Sequence, residues 1–187
     1  MVRSVVVASL SPALGPLLVG ALLLLPAAWA KIERPAPTAL GLARVGLRVP
    51  DGVVRLLGVA EGSVAAAVLI VGGPAGIALA ALYLGFAAFT ARQLAVARRT
   101  GEAADCGCFG DDSAPVGGTH VAVNLALAAA GLVAAASGVP GALEAQEEGL
   151  LPVAAVAGLA AVGAGGVQAL LTDLPRLRAL RADGAET

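Results

Sequence analysis

The sequence predicts an all-α protein, an integral membrane helical bundle with a four-helix core and a fifth, C-terminal transmembrane helix. Hydrophobic residues make up 58% of its 187 residues, and the mean hydropathy is +0.89. Only 13% of the residues are charged, against about 25% in a typical soluble domain, which is too few to cover a soluble surface. Five stretches are almost free of charge, and each is long enough to cross about 30 Å of hydrocarbon as a helix.

The first span is the charge-free stretch between Arg3 and Lys31. Prolines punctuate its start, so we expect the firm helix to begin near Leu14. A second interpretation is a secretory signal, because an apolar run is followed by the small-residue end Ala28-Trp29-Ala30. The stretch is long for a signal, which favours a retained span.

Lys31 to Asp51 is a polar segment with a basic bias. Arg44 and Arg48 are four residues apart and would share one face of a short helix in the headgroup region. The alternative, slightly preferred here, is an ordinary solvated loop whose arginines meet lipid phosphates.

The second span, Gly52 to Gly73, carries a carboxyl group well inside the membrane. Glu61 lies about nine residues from its edge, roughly 14 Å at helical rise, so it cannot reach the surface. Such a group marks a functional site or fixes helix packing, and we favour the functional interpretation. We expect Glu61 to be protonated or paired with an arginine such as Arg55 or Arg92.

The break Gly72-Gly73-Pro74 joins this span to a third, from about Ala75 to Ala95. Packing or contact with lipid explains its three aromatic residues at helical spacing better than a cofactor site does: Tyr83, Phe86 and Phe89.

A polar connector of about residues 99–119 leads to the fourth span, which begins at His120. The fifth span covers Leu150 to Leu171, and the tail is expected to be a surface helix or disordered. The predicted organisation is therefore a four-helix core over residues 1–140, an additional transmembrane helix over 141–172, and a polar basic tail over 173–187.

The connector holds the only two cysteines of the chain, Cys106 and Cys108. A disulfide between cysteines one residue apart closes a strained ring, and strain makes a disulfide easier to reduce. The intervening glycine allows the turn that the ring demands. Arg98 and Arg99 would favour the reactive thiolate, whereas the acidic flank would disfavour it. The pair therefore predicts a thiol–disulfide relay.

Metal binding and nucleic-acid binding are not expected. Cys106, Cys108 and His120 supply three ligands at most, too few for zinc within one chain, although copper or a metal bridging two copies stays open. Two inert, buried cysteines do not suit a polar, glycine-rich connector. The net charge of −1 and the lack of a basic aromatic face exclude nucleic acid.

The pattern Arg98-Arg99-Thr-Gly, then Cys106-Gly-Cys108-Phe-Gly, then a span with Asn124 near its start, resembles the methylamine-utilisation MauE family, which is related to DoxX-like membrane proteins. Lys31 at the end of the first span and Glu61 in the second agree with it. The resemblance covers roughly residues 14 to 135, and the fifth span departs from it.

The resemblance implies a MauE/DoxX-like four-helix core in a bacterial plasma membrane and a redox role in maturing an extracytoplasmic, disulfide-rich protein, methylamine dehydrogenase within the family. It implies a thioredoxin-like partner, with Cys106 and Cys108 as the redox pair. We carry over the redox role but not the methylamine pathway. A looser likeness to vitamin K epoxide reductase makes a quinone acceptor a hypothesis; no other cofactor is expected.

The side of the membrane that the cysteines face is open. With five retained spans, every basic residue except Arg3 lies on the cysteine side, and the positive-inside rule then places Cys106 and Cys108 in the cytoplasm. Disulfide chemistry prefers the outer face, and we prefer it on that ground.

Two other functions compete with the relay. One is a non-catalytic membrane chaperone or scaffold, in which the cysteines only staple a loop. The other is a small-solute carrier centred on Glu61, although one buried charge without broken helices makes a thin transport site.

Overall fold

We describe residues 13–101, 115–141 and 150–183 of a computed structural model, without the side chains of 150–154, 156 and 174–183. Every regular element in these ranges is a helix. They are α1 (Leu14–Glu33), α2 (Ala36–Arg44), α3 (Asp51–Val71), α4 (Gly76–Thr100), α5 (Gly118–Ser137) and α6 (Leu150–Asp183), with one 3-10 turn, Gly73–Ala75, before α4.

Four of these helices are long and apolar enough to cross a membrane: α1, α3, α4 with its preceding turn, and α5. Each is at least 20 residues long, so each spans about 30 Å or more at helical rise. The prediction of an all-helical, multi-pass membrane protein is confirmed. Within the residues that we describe, α6 is not among the four, so the fifth span stays a prediction.

Helix α1 forms the centre of the bundle. Leu17, Ala21 and Leu24 are at most 1% exposed, and α1 packs against α3, α5 and α6. Its start at Leu14 is where the sequence predicts it. These side chains make α1 part of the core of the bundle, and whether α1 is retained as a span or cleaved as a signal stays a prediction.

Helices α4 and α5 form the closest antiparallel pair, through small residues. A Cβ on Gly131 would lie only 2.6 Å from the carbonyl oxygen of Gly76, so the two backbones touch where neither residue has a side chain. At the same end of the bundle, Gly72 has a φ of +75°, which allows the tight break before α4. The next N–H, that of Gly73, donates to Val139 O at 2.7 Å.

Three boundaries differ from the predicted ones. The segment after α1 forms the nine-residue helix α2, so the preferred loop was wrong; Pro35 precedes its first turn, where the fixed φ of proline suits a helix start. Helix α4 continues to Thr100 and ends at Gly101, whose φ is +73°. Helix α6 runs to Asp183, twelve residues past the predicted end and into the predicted tail.

Candidate functional site

A buried ion pair joins α1 and α3. Lys31 Nζ donates to Glu61 Oε2 at 2.9 Å and to Ala27 O at 3.4 Å. The two charged side chains are 3% and 0% exposed. The other carboxylate oxygen, Glu61 Oε1, has no hydrogen-bond partner among the residues described. Burying two charges costs several kcal/mol of desolvation per ion, so this pair is weak evidence for stability and stronger evidence for a site.

The pair forms because a glycine lets the two helices close on each other. Gly58 lies one turn before Glu61, and a Cβ at that position would be 2.8 Å from Ala28 O and 3.1 Å from Lys31 Cβ. Lys31 itself lies in the last turn of α1, where a cation complements the free carbonyl groups.

The predicted arginine partners of Glu61 were wrong. Arg55 precedes Glu61 by six residues, which turns it about 120° away around α3, and its side chain is exposed. Arg92 lies on α4 and lines a different space, described below. The sequence places Lys31 at the end of its span, but only the packing of α1 on α3 brings it to the carboxylate.

We predict that Gly58→Ala separates α1 from α3. The new methyl group would meet backbone and Cβ atoms that cannot move aside, so we expect a loss of about 1–3 kcal/mol in the free energy of unfolding. Denaturation followed by far-UV circular dichroism measures it. Gly165→Ala is the matched control, because no atom of the described chain lies within 4 Å of that Cβ. Equal stability of the two variants would contradict the close approach.

Two aromatic rings of α4 lie beneath the lysine. Lys31 Nζ is 5.5 Å from the centroid of the Phe86 ring, within cation–π range. Tyr83 packs edge-to-face on Phe86, with centroids 5.7 Å apart, and its hydroxyl donates to Gly20 O at 2.7 Å. Tyr83 therefore packs in the core, as predicted, while Phe86 also contacts the ion pair.

A small cavity of about 40 Å³ brings Asn124 to the same place. Lys31, Phe86, His120 and Asn124 are among its lining residues. The volume exceeds the roughly 10–15 Å³ that one water requires, and amide, imidazole and ammonium groups supply polar partners. The structure thus connects three of the predicted site residues: Lys31 and Asn124 line one cavity, and Lys31 pairs with Glu61.

His120, which the sequence offers only as a third metal ligand, has another role. Its Nδ1 accepts a hydrogen bond from Gly117 N–H at 3.2 Å, and the ring also bonds the backbone of Leu171. These contacts engage the imidazole and tie α6 to the start of α5, which argues against His120 as a metal ligand. Within the described ranges, no group of three histidine, cysteine or acidic residues could hold a metal ion.

Cys106 and Cys108 lie outside the described residues. The chain leaves the described part at Gly101, where α4 ends, and re-enters it at Pro115, just before α5. Since α4 and α5 are antiparallel neighbours, both points belong to the same end of this helix pair. Two of the predicted site residues, Arg98 and Arg99, lie in the last turn of α4 and are exposed.

Two buried polar residues of α4 were not predicted as part of any site. Thr90 is 0% exposed and donates to Phe86 O at 2.8 Å, and Gln93 is 1% exposed. Their polarity inside an apolar span was the signal available in the sequence. With Arg92, they make the connector end of α4 its most polar part.

Comparison with known proteins gives one match. A family model described as "Methylamine utilisation protein MauE" matches residues 8–137, which is 130 of the 187 residues. The match includes α1 to α5 and stops at the last residue of α5, before α6. No curated protein and no solved structure matches the chain.

Proposed function

Because this chain belongs to the MauE family, we propose that it is a thiol–disulfide relay of the bacterial plasma membrane, with Cys106 and Cys108 as the redox pair. One observation carries the proposal. The segment with the only two cysteines joins, at Gly101 and Pro115, the two helices that line the Asn124 cavity through Phe86 and Asn124. A redox pair joined to helices that hold proton-carrying groups is suited to moving electrons and protons together.

The proposed reaction is disulfide exchange. A client thiolate attacks one sulfur of the Cys106–Cys108 disulfide, which breaks the sulfur–sulfur bond and forms a mixed disulfide. A second client thiolate displaces the bound cysteine, so the client is oxidised and Cys106 and Cys108 hold the two electrons. Two protons accompany them. A thioredoxin-like partner carries the exchange to an extracytoplasmic client, and a quinone-class acceptor removes the two electrons and two protons to regenerate the disulfide.

The neighbouring residues have supporting roles in this proposal. Arg98 and Arg99, as exposed cations at the entry to the connector, favour the thiolate. Asn124 supplies a hydrogen-bonding amide to the small cavity between α1, α4 and α5. The Lys31–Glu61 pair either transfers a proton or fixes the bundle.

We also propose that α6 is a fifth span outside the family core. Residues 150–172 contain no charged side chain, and 23 residues cover about 35 Å at helical rise. Ala164 belongs to the core, and a Cβ on Gly163 would lie 3.0 Å from Val19 Cγ2, so this helix packs on α1. Further along α6, the backbone of Leu171 contacts His120 at the start of α5.

The first test is labelling with a membrane-impermeant maleimide in intact cells. Since Cys106 and Cys108 are the only thiols of the chain, every added label reports on them. We expect no labelling before reduction and two labels after reduction. Reoxidation should abolish labelling, and a second reduction should restore it. This result would show a cycling disulfide on the outer face. Prior treatment with a permeant maleimide under reducing conditions is the control and should block both labels.

Two results of this labelling would count against the proposal. Cysteines that accept label in full without reduction would not form a cycling disulfide. Labelling only after lysis would place the pair in the cytoplasm, in agreement with the positive-inside count, and would exclude direct exchange with an extracytoplasmic client.

A further inference from the structure

A second and larger cavity, of about 430 Å³, lies between α2, α3 and α4. We call it the α2–α4 cavity. Its volume falls within the roughly 300–1,000 Å³ of small-molecule sites. Its walls are almost wholly apolar, with Leu42 from α2, Leu57 from α3 and Phe89 from α4 among the lining side chains. It is therefore suited to a ligand whose body is hydrocarbon.

The cavity has the length of one acyl chain. It follows α4 from Ala81 to Arg92, which are eleven residues apart, or about 16 Å at helical rise. One leaflet contributes half of the roughly 30 Å of hydrocarbon, about 15 Å. At Gly85, midway along, no atom of the described chain lies within 4 Å of where a Cβ would be, so the bare backbone of α4 forms this wall.

The cavity has positive charge at its connector end. The other cation that lines it, Lys31, is compensated by Glu61 at 2.9 Å. Arg92 forms no ion pair within the part of the chain that the structure describes, so no described carboxylate compensates its charge. Its guanidinium reaches toward the segment after α2, with Nη2 4.0 Å from a Cβ position on Gly46.

Further basic residues flank this end of the cavity. Val45 and Leu47 line it, and their neighbours in the chain, Arg44 and Arg48, are exposed. A basic pocket between transmembrane helices, with an apolar interior, is the kind of site that holds an acidic lipid headgroup. A zwitterionic lipid would place a cation of its own among these arginines.

We propose that the α2–α4 cavity binds an acidic phospholipid, with one acyl chain along α4 and the phosphate at Arg92. The second acyl chain stays in the bilayer. This site is separate from the Asn124 cavity, although Lys31 lines both, and its occupancy does not depend on the cysteine chemistry.

The test compares phosphatidylglycerol with phosphatidylcholine added to the purified full chain in detergent. A lipid that binds the folded state raises the melting temperature, because binding shifts the unfolding equilibrium. We expect phosphatidylglycerol to raise it and phosphatidylcholine to leave it unchanged. Titration should show about tenfold weaker binding of phosphatidylglycerol to Arg92→Gln, the loss expected when one charge-assisted hydrogen bond is removed. Gly85→Leu, which obstructs the cavity midway along α4, should abolish binding.

Each variant has a matched control. Arg55→Gln removes an exposed cation of α3 that does not line the cavity, and Gly165→Leu adds the same side chain at an equally open position of α6. Both should bind phosphatidylglycerol as the original chain does. Leucine also has a higher helix propensity than glycine, so Gly85→Leu should fold, and native mass spectrometry of retained lipid on Arg92→Gln gives an independent measurement.

Three results would overturn the proposal. Equal stabilisation by the two lipids would show that charge is not recognised. Equal losses in Arg92→Gln and Arg55→Gln would show only general attraction of an acidic lipid to a basic surface. Binding of oleate in place of phosphatidylglycerol would assign the cavity to a free fatty acid.

Discussion

Replacing Lys31 by methionine is expected to destabilise the bundle by about 3–5 kcal/mol, because the carboxyl group of Glu61 would remain fully buried without its partner. The neighbouring cations cannot compensate. Arg55 points away from the pair, and Arg92 lies in the α2–α4 cavity. Glu61→Met should have a similar cost, because it removes the carboxylate 2.9 Å from a buried ammonium group.

The double variant Lys31→Met/Glu61→Met should recover most of this loss, since an apolar pair of similar volume can replace a buried ion pair without a penalty. Denaturation in detergent, followed by far-UV circular dichroism, gives the free energies of unfolding of the original chain, the two single variants and the double variant, which together form a double-mutant cycle. Glu33→Gln, an exposed change at the same end of α1, is the control and should stay within about 0.5 kcal/mol. If the two single losses simply add in the double variant, the residues are not coupled and the ion pair is unimportant.

The same double variant separates the two proposed roles of the pair. If the pair only fixes the packing of α1 on α3, a refolded methionine pair will also restore disulfide transfer to the client. If the pair transfers protons, the variant will fold but will not reoxidise its cysteines, because methionine cannot carry a proton. A stability measurement alone would not distinguish the two roles, so the redox state of Cys106 and Cys108 must be measured in the same sample.

The helices of the core were predictable because each depends on a local property. Charge-free stretches about 20 residues long must cross the bilayer as helices, since every backbone group needs a partner there. The predicted start at Leu14 and the turn at Gly72-Gly73-Pro74 are confirmed. Helix α2 was the harder case, because nine residues with mixed polarity suit a loop as well as a helix, and its contacts with α3 and α4 decide the outcome.

The site was less predictable because it depends on how helices face each other. Glu61 was identifiable from its depth, but its partner depends on which side of α3 meets α1, and Gly58 determines that contact. Lys31 was known only from a family resemblance. The contact between Lys31 and Phe86, like the α2–α4 cavity, involves residues far apart in the chain, and no spacing in the sequence indicates it.

Replacing either cysteine is expected to abolish disulfide transfer to the client, because serine cannot form a sulfur–sulfur bond and one remaining thiol cannot cycle. The single variants Cys106→Ser and Cys108→Ser should nevertheless behave differently. The variant that keeps the cysteine that exchanges with the partner, but lacks its neighbour, should accumulate a mixed disulfide, because its thiolate attacks the disulfide of the oxidised partner and no second thiol remains to release it. The other variant should accumulate none. Non-reducing gels of acid-quenched cells, with alkylation of free thiols, measure both species.

Ser113→Ala is the matched control for these variants, because it changes a hydroxyl in the same connector and leaves both thiols in place. It should transfer disulfides at the original rate. If the cysteine variants do the same, the cysteines only staple a loop, and the chain is a scaffold and not a relay. Because the chain has no third thiol, any disulfide-linked adduct of a single variant must be bonded to the one cysteine that remains. The mass of that adduct therefore identifies the partner, and the variant in which it forms identifies the attacking residue.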